Sequence, residues 1–583
     1  MKRLFRDYCK PYTGVFLASA LCILLSSVFS MLVPQTMRFA IDSVLDGKAS
    51  FLDSLKGTFS NIQLLTLLAL AAVVFALLNM VFSFLFKYLV SLGSEGVIKD
   101  MRDGLYRHIA ALPYSYFGRI ETGELVQKCT LDVDVVKGFL IRQLPEVLRT
   151  AAVIVTSVSF IFYTNVLCGV ISVIFIPVIA LYSGVFFKKL SVRFQKADEA
   201  EGILSGRVLE NLSAFRVVRA FGKEREEVRR FDEKNEEYCN IWVKIGRLLG
   251  AYWGVGDFFA ALQILAVMLA GIYGALNGTL SSGGFVAILT YSGMLIWPVR
   301  SFGRTLSEFS KCTISLKRIQ DVMDEPQEQD TGTLTPDMTG DIVFNEIRFT
   351  FPGGEPLFDG LTFTVKGGTT LGILGGVGSG KSTLGALLLR LYPLKDGEGT
   401  ITVSGTDIRD IRLAHLRGQI GYTTGEPFLY SKSISENISI AARSASMTEI
   451  REAAQDADIA RAVENFQKGY DTLVGERGVT LSGGQRQRVA IARTFLRGTP
   501  IMVFDDALSA VDSETDKRIR ENLARRTKET TTILISHRIS TLMDADAILV
   551  LKDGKMEQYG SHAQLMREDG TYRRIALEQG VDA

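Results

Sequence analysis

The sequence predicts two joined folds: an all-α membrane domain of six spanning helices, followed by an α/β domain of the P-loop type. Two observations predict this. The apolar residues that give the chain a mean hydropathy of +0.20 are concentrated before residue 310, whereas charge and glycine dominate after residue 325. A glycine-rich stretch at residues 375–382 lies between an apolar run and a helix-like segment. Because 583 residues exceed what one hydrophobic core usually serves, two or more domains are expected.

Charge and cysteine content argue against several other classes of protein. The net charge is +2 and no block of like charge occurs, so nothing in the sequence indicates a nucleic-acid partner. The six cysteines are scattered without a C-x-x-C pair, which predicts neither a zinc site nor a disulfide framework. The four histidines are too dispersed to predict a metal cluster.

Long uncharged intervals before residue 310 predict the membrane helices. The interval between Lys10 and Arg38 is long enough for one span, because about 20 apolar residues cross a bilayer. The interval between Arg149 and Lys188 is about twice a single span, and Asn165 offers a turn near its middle. We therefore predict six spans, near residues 14–37, 60–86, 146–164, 166–187, 248–276 and 284–306.

Lysine and arginine are distributed unevenly around these spans. The N-terminus and residues 87–149 and 188–247 are rich in them, whereas the alternate connections contain few. Because positively charged loops stay in the cytoplasm, both chain ends are predicted to be cytoplasmic, in a multi-pass protein of the cell (inner) membrane. Buried core helices of a soluble protein are the alternative, and this alternation disfavours them. The predicted membrane domain covers residues 1–323.

Asp257 lies inside the predicted span 248–276, where an ionised carboxylate is costly. Two interpretations stay open: a contact with substrate or a proton, or a residue paired within the bundle or placed near the interface. Span residues such as Trp253, Trp297 and Met294 would suit an adaptable hydrophobic cavity. They would equally suit helix packing or anchoring at the membrane interface.

The glycine-rich stretch at residues 375–382 reads G-x-x-x-x-G-K-S in the strand–loop–helix context that a phosphate-binding loop requires. Its backbone N–H groups can surround a polyphosphate. Lys381 supplies charge for the β and γ phosphates, and the Ser382 hydroxyl can ligate Mg²⁺. A plain glycine-rich turn is the alternative, which the strand, helix and Lys-Ser pair together disfavour. The predicted nucleotide-binding residues are Gly375, Gly376, Val377, Gly378, Ser379, Gly380, Lys381, Ser382 and Thr383.

Three further elements fit a nucleotide site. Asp505 ends an apolar strand and can hold Mg²⁺ opposite Ser382, with Asp506 directly after it. Residues 481–485 read L-S-G-G-Q before a helical segment whose N-terminus would favour an anion. His537 ends another strand; a lone histidine is usually structural, but this strand follows the one that ends in Asp505.

The boundaries of the second domain follow from composition. Residues 324–340 are polar with proline and glycine and are predicted to be a linker, so the second domain covers residues 341–583. Phe351 ends a strand-like segment ahead of the phosphate loop. It could stack on adenine, although pattern alone favours a core strand residue.

Together these residues resemble the ATP-binding-cassette (ABC) transporter family, exporter type, over nearly the whole chain. The resemblance implies the type I exporter (type IV ABC) fold, with ATP and Mg²⁺ as cofactors. It assigns residues 375–382 to the Walker A loop and Asp505 to Walker B, and it makes Phe351 the adenine-stacking aromatic. It makes Asp506 and His537 the catalytic residues and places coupling helices near residues 132–135 and 211–220. The family signature is then Leu481, Ser482, Gly483, Gly484 and Gln485.

The resemblance also implies that the chain is half of a transporter. In this family two cassettes pair head to tail, and each ATP is held by the Walker A loop of one chain and the signature of the other. Nucleotide-driven closure then switches the membrane domains between inward-facing and outward-facing states. The implied partners are a second half-transporter chain, the lipid bilayer, and a small-molecule or lipid-like substrate.

Two positions depart from the family pattern. Asp506 stands where the family places glutamate, one methylene longer, and a misplacement of about 1 Å can cost on the order of 100-fold in rate. Gly425 stands where the family places the Q-loop glutamine. Both losses affect the site built on this chain's own Walker motifs, whereas the signature is intact. The pattern favours a heterodimer in which this chain's own site hydrolyses ATP poorly.

The sequence therefore predicts ATP-driven export of a hydrophobic or amphipathic substrate by alternating access, multidrug-type, through a heterodimeric translocase. A homodimeric exporter with slow hydrolysis is the first alternative, since Asp506 retains the charge of a base. An ATP-gated channel or regulatory membrane protein is the second, and import through the same architecture is the third.

Overall fold

The computed structural model describes residues 2–45, 60–120, 122–475, 478, 480–526 and 530–581. The chain divides into two compact units. The first comprises Met1–Leu112 and Ile120–Pro326, and the second comprises Pro113–Arg119 and Gln327–Ala583. The second unit therefore includes a short segment that interrupts the membrane helices in the sequence.

Up to residue 323 the described chain is helical. Within the described residues, six segments are long and apolar enough to cross a membrane, which confirms the predicted six-helix class. Three of them, of 50, 48 and 53 residues, are far longer than a bilayer requires. The helices are α1 (Lys2–Cys9), α2 (Thr13–Ala40), α3 (Asn61–Ala110), α4 (Tyr114–Phe117), α5 (Thr122–Gln127), α6 (Val133–Gly138), α7 (Leu144–Thr164), α8 (Val166–Ser213), α9 (Phe215–Ala220), α10 (Glu224–Leu276) and α11 (Ser282–Met323).

Polar side chains join the membrane helices to one another. Ser27 on α2 and Thr156 on α7 share a hydrogen bond of 2.7 Å between their hydroxyl oxygens. The buried Tyr291 on α11 donates to the Met31 carbonyl at 2.8 Å. Asp42 accepts from the Gly283 N–H at 2.8 Å, near the start of α11. Such bonds are typical between membrane helices, because lipid offers polar groups no alternative partner.

The second unit contains two sheets. A four-stranded antiparallel sheet has the order β2-β1-β4-β5, and a six-stranded sheet has the order β10-β9-β3-β8-β7-β6. The latter is parallel except for its edge strand β10. The strands are β1 (Ile342–Thr350), β2 (Pro356–Val365), β3 (Thr370–Gly375), β4 (Thr400–Val403), β5 (Thr406–Asp407), β6 (Ile420–Thr424), β7 (Ile501–Asp505), β8 (Thr531–Ile535), β9 (Ala547–Lys552) and β10 (Lys555–Gly560).

Helices cover both faces of the parallel sheet, so its inner strands are apolar throughout. On β7, Val503 faces one hydrophobic core while Met502 and Phe504 face the other. The helices are α12 (Lys381–Leu388), α13 (Leu413–Gly418), α14 (Ile434–Ser439), α15 (Met447–Asp456), α16 (Ala460–Glu464), α17 (Gly483–Arg497), α18 (Ser513–Arg526), α19 (Ile539–Leu542), α20 (His562–Leu565) and α21 (Thr571–Glu578).

The segment around α4 belongs to the second unit, although the long helices on either side of it in the sequence belong to the first. The Tyr114 ring meets the Tyr392 ring edge-on, with centroids 5.6 Å apart, inside the second unit. Residues 132–135, for which the sequence predicts a coupling helix, lie in the first unit. There Asp132 is buried and accepts from the Ser315 hydroxyl on α11 at 2.7 Å. The hydrogen bond explains why that segment stays with the membrane helices.

Candidate functional site

The carboxyl ends of the parallel strands gather the predicted site residues at one edge of the sheet. Gly375 ends β3, Asp505 ends β7, and His537 follows β8 after one residue. The end of β6 brings Gly425 to the same edge, since β6 pairs with β7 in parallel. Ligands of open α/β sheets bind at this edge.

The phosphate loop connects β3 to α12. Gly380, the N-cap of α12, has a φ of +96°, and a Cβ there would lie 2.5 Å from the Phe358 ring, so only glycine fits. Lys381 Nζ donates to the carbonyls of Gly375 at 2.8 Å and Gly376 at 2.7 Å. Burial lowers the pKa of Lys381, opposed by the charges of Asp505 and Asp506. Val377 is exposed at the loop tip, Ser379 is buried, and Thr383 lies in α12.

Ser382 and Asp505 form the oxygen-rich part of the site. The Ser382 hydroxyl donates to Asp505 Oδ1 at 3.0 Å. The other carboxylate oxygen, Oδ2, accepts from the Tyr422 hydroxyl at 2.8 Å. A hydroxyl and a carboxylate are the hard oxygen donors that Mg²⁺ prefers. The side chains present therefore fit a magnesium site between α12 and β7.

Asp506 and His537 lie side by side. His537 Nδ1 is 3.1 Å from Asp506 Oδ1, a distance suited to an ion pair, although the angles do not satisfy a hydrogen bond. Asp506 has a φ of +53°, uncommon for a residue other than glycine. Its N–H donates to the Ile535 carbonyl at 2.9 Å. The backbone after β7 thus holds the carboxylate against the histidine.

Gly425 packs against the backbone that carries Asp506. A Cβ at Gly425 would lie 3.1 Å from the Asp506 carbonyl oxygen and 3.3 Å from Asp506 Cβ. The Gly425 carbonyl accepts from Gln487 Nε2 at 2.7 Å. A larger residue here would displace its neighbours by a few tenths of an ångström. The two departures from the family pattern are therefore neighbours in space.

The signature segment forms the start of α17. Ser482 is the N-cap, and its hydroxyl accepts from the Gln485 N–H at 3.3 Å. Gln485 Oε1 accepts from the Ser482 N–H at 2.9 Å, which completes a capping box. Leu481 is buried. Among the described residues, no hydrogen bond or ion pair joins residues 481–485 to the phosphate loop.

Phe351 follows β1 and is partly buried. Its ring meets Phe349 edge-on at 4.9 Å and Tyr392 at 5.2 Å between centroids. Two perpendicular neighbours fix the ring orientation. An aromatic ring held in this way can present a face to an adenine base.

Two residues of the site were missed from the sequence. Gln487 is buried on α17 and joins this helix to Gly425 and to residues 509–510. Besides its bond to the Gly425 carbonyl, its Nε2 lies 3.1 Å from Ser509 Oγ, and its Oε1 accepts from the Ala510 N–H at 2.9 Å. Arg538 donates to the carbonyls of Val511 and Ser509. A signal existed for Gln487, which occupies the buried stripe of α17 with Ala490, Ile491 and Thr494.

Asp257 pairs within the helix bundle. Arg300 Nη1 on α11 donates to Asp257 Oδ1 on α10 at 2.7 Å. The Arg300 guanidinium lies over the Trp253 ring at 4.8 Å, and Trp253 stacks on Trp297 at 5.7 Å. Of the two interpretations of Asp257, pairing is the one the geometry shows. A cavity of about 310 Å³ is lined by Trp253, Trp297, Arg300 and Tyr252.

Comparisons with known proteins cover both units. Residues 16–299 match the ABC transporter transmembrane region, and residues 358–509 match the ABC transporter family. The chain is 30% identical to the uncharacterized ABC transporter ATP-binding protein YknU of Bacillus subtilis (strain 168), over 98% of this chain and 96% of that protein. It is 30% identical to the ATP-dependent lipid A-core flippase of Pseudomonas putida, over 99% of this chain and 96% of that protein.

Two further comparisons agree with these. The chain is 31% identical to the probable multidrug resistance ABC transporter ATP-binding/permease protein YheI of Bacillus subtilis (strain 168), over 98% of this chain and 95% of that protein. Among solved structures, a bacterial Atm1-family ABC exporter with ATP bound aligns with a TM-score of 0.82. The two chains share 26% sequence identity, and the alignment covers 98% of this chain and 99% of that chain.

Proposed function

Because this chain belongs to the ABC transporter family, as an exporter with fused transmembrane and ATP-binding domains, we propose that it exports a hydrophobic or amphipathic substrate as one half of a heterodimer. In this proposal the chain is a multi-pass membrane protein, and export is coupled to ATP hydrolysis. The observation that carries the heterodimer is the contact between Gly425 and Asp506, two altered positions on one side of the site.

The residues of this chain have the following proposed roles. Phe351 stacks on the adenine, and Lys381 exchanges its loop carbonyls for phosphate oxygens. Ser382 and Asp505 hold Mg²⁺, which when bound neutralises charge on the phosphates. Asp506 faces the attacking water, with His537 beside it. Its carboxylate is one methylene short of the glutamate usual in the family, so we propose weak hydrolysis at this site.

A second chain completes each nucleotide site in this proposal. The signature residues 481–485 lie apart from the phosphate loop of the same chain, and their capping box presents an ordered helix N-terminus to an anion. The short helix α9 has no buried residues, and Phe215 and Phe221 expose 53% and 74% of their surface. Apolar side chains exposed at a membrane-distal turn fit a surface that a second chain covers.

The substrate class rests on the cavity between α8, α10 and α11. Its walls combine aromatic and leucine side chains with the charged Arg300, Glu308 and Lys311. Relatives carry the names lipid A-core flippase and multidrug resistance transporter. A substrate with a large apolar part and a polar end fits both the cavity and these names. We propose that the termini are cytoplasmic, so that the second unit reaches cellular ATP.

A homodimeric exporter is the second candidate. It is favoured by the contact of 3.1 Å between Asp506 and His537, because a carboxylate placed beside the histidine retains the charge of a base. Relatives aligned over their full length are also compatible with pairing of identical chains.

The test is to purify this chain alone and together with the half-transporter encoded beside its gene, and to reconstitute both preparations in liposomes. We expect substrate-stimulated ATP hydrolysis and uphill movement of an amphipathic dye for the pair only. Robust uphill movement by this chain alone would overturn the heterodimer in favour of the homodimer. Downhill leakage gated by nucleotide, without uphill movement, would overturn export and indicate a channel.

A further inference from the structure

Tyr422 contacts the proposed magnesium site from the strand that leads to Gly425, the position where the family places the Q-loop glutamine. It lies on β6, three positions before Gly425. Its hydroxyl donates to Asp505 Oδ2 at 2.8 Å, while Ser382 donates to Oδ1 at 3.0 Å. The two carboxylate oxygens are therefore held by separate donors. Without Tyr422 the carboxylate could rotate about its terminal torsion, which is otherwise soft.

The Tyr422 ring is also packed against the helix that carries Lys381 and Ser382. A Cβ at Gly385 on α12 would lie 2.7 Å from the ring, so glycine at this position admits the ring at close range. One side chain therefore touches both elements of the site, β7 through its hydroxyl and α12 through its ring. Because a carboxylate oxygen accepts, the Tyr422 hydroxyl is the donor in its bond to Asp505.

Helix α4 is linked to the same tyrosine through Tyr392. The Tyr114 ring meets Tyr392 with centroids 5.6 Å apart, and Tyr392 and Tyr422 pack against the same hydrophobic core. Residues Pro113–Arg119 interrupt the membrane helices in the sequence but belong to the second unit. A displacement of α4 would therefore change the surroundings of the Tyr422 ring.

We propose that Tyr422 is a positioning residue that orients Asp505 for the divalent cation and makes this orientation depend on α4. In most of the family the Q-loop glutamine supplies an amide near this cation, and here that position is Gly425. Tyr422 provides a fixed hydroxyl from the same strand. The inference rests on the proposed function, because it takes Asp505 to be a ligand of the cation that accompanies ATP.

The experiment measures Mn²⁺ binding in the presence of ATP by electron paramagnetic resonance, on the assembled transporter. The partner's phosphate-loop lysine is replaced by alanine, so that binding reports the site of this chain. In Tyr422→Phe the ring remains on Gly385 and only the hydroxyl is lost. We expect about a 10-fold weaker Mn²⁺ affinity, the size expected for a lost hydrogen bond to a charged group, with ATP binding in the absence of metal unchanged.

The matched control is Tyr559→Phe, which removes a hydroxyl that donates to the Thr364 carbonyl at 3.0 Å on β2. This variant should bind Mn²⁺ as the unmodified transporter does. Equal Mn²⁺ affinities for Tyr422→Phe and Tyr559→Phe would overturn the positioning role. A uniform loss of ATP binding without metal in Tyr422→Phe would also overturn it, because that result indicates a general disturbance of the fold.

The dependence on α4 is tested by a double-mutant cycle. Tyr114→Leu removes the ring contact with Tyr392 and should weaken Mn²⁺ binding about 3-fold in the unmodified background and have no effect in Tyr422→Phe. Additive effects would overturn the link between α4 and Tyr422. Failure of the transporter to move substrate, with these Mn²⁺ differences intact, would refute the proposed export while leaving the positioning role standing.

Discussion

The phosphate-loop side of the nucleotide site and the signature helix belong to the same unit, yet their side chains depart from the family pattern to different degrees. On the phosphate-loop side, Lys381, Ser382 and Asp505 have the expected contacts, whereas Gly425 and Asp506 differ from the family. At the start of α17, by contrast, Ser482 and Gln485 form a complete capping box. The side proposed to bind phosphate retains the binding groups expected of the family and differs in the groups proposed to promote hydrolysis.

The difference indicates that binding and hydrolysis depend on separable features. Phosphate binding uses loop backbone and one lysine, and these need only the strand–loop–helix framework. Hydrolysis depends on where a carboxylate lies to within about 1 Å. Shortening that side chain by a methylene leaves the backbone after β7 intact, including its hydrogen bond to Ile535. In the proposed dimer the signature helix acts in the partner's site, so its geometry is under a different requirement.

The largest effect is expected from a change in the signature helix. In Gly483→Asp the new Cβ meets Ala510 Cβ at an ordinary 3.7 Å, so the fold should tolerate it. In the proposed dimer the added carboxylate would face the phosphates of the partner's ATP and oppose the helix N-terminus. We expect ATP hydrolysis by the assembled transporter to fall on the order of 100-fold, measured as phosphate release in liposomes.

Gly418→Asp serves as the control for this variant. Gly418 ends α13 in the same unit, and its added Cβ would meet open space. Hydrolysis should remain at the level of the unmodified transporter. If Gly483→Asp hydrolysed ATP at half the normal rate or more, the signature of this chain would not serve the main hydrolytic site.

A smaller effect is expected from the phosphate loop. Lys381→Ala removes the ammonium group that now bonds to Gly375 and Gly376. ATP binding at this site should weaken about 10-fold, because a charge-assisted bond to phosphate is lost. Titration with a fluorescent ATP analogue, with the partner's corresponding lysine replaced, measures this.

The exposed Lys366 provides the control, as Lys366→Ala removes an ammonium group from a turn outside the site. Hydrolysis by the pair should fall less in Lys381→Ala than in Gly483→Asp. The opposite ranking would mean that this chain's own site is the dominant hydrolytic one.

The sequence was informative wherever a function depends on residues close together in the chain. Uncharged intervals and the uneven distribution of lysine and arginine predicted the six-helix class, which the structure confirms. The predicted positions of Asp505 and His537 at strand ends follow from the short continuous apolar runs that precede them. The neighbouring strands that place His537 beside Asp506 could be expected only through the family resemblance.

Contacts between distant segments could not be predicted in this way. Tyr422 meets Asp505 across two adjacent strands that are separated in sequence by helices α14 to α17. Asp257 finds Arg300 on another helix, so the sequence left its role open. Helix α4 joins the second unit because Tyr114 finds an aromatic partner in Tyr392. Each of these depends on tertiary packing that no local pattern encodes.

The smallest effect is expected at Asp506, although this residue lies at the centre of the site. Asp506→Asn removes the charge next to His537 but keeps the shape of the side chain. We expect hydrolysis by the pair to stay within about 2-fold of normal, because in the proposed heterodimer the partner's site performs most turnover and the Asp506 carboxylate is one methylene too short to position the attacking water. The same carboxylate-to-amide change in the partner should abolish activity.

Asp506→Glu sharpens this comparison, because it restores the missing methylene while Gly425 still lacks an amide. If position alone limits this site, hydrolysis should rise several-fold once the partner's carboxylate has been neutralised. If the amide of the missing glutamine is equally required, hydrolysis stays at background. If Asp506→Asn lowered hydrolysis 10-fold or more, the proposed difference between the two sites would be wrong. The shorter carboxylate would then be an active base, and pairing of identical chains would be the better account.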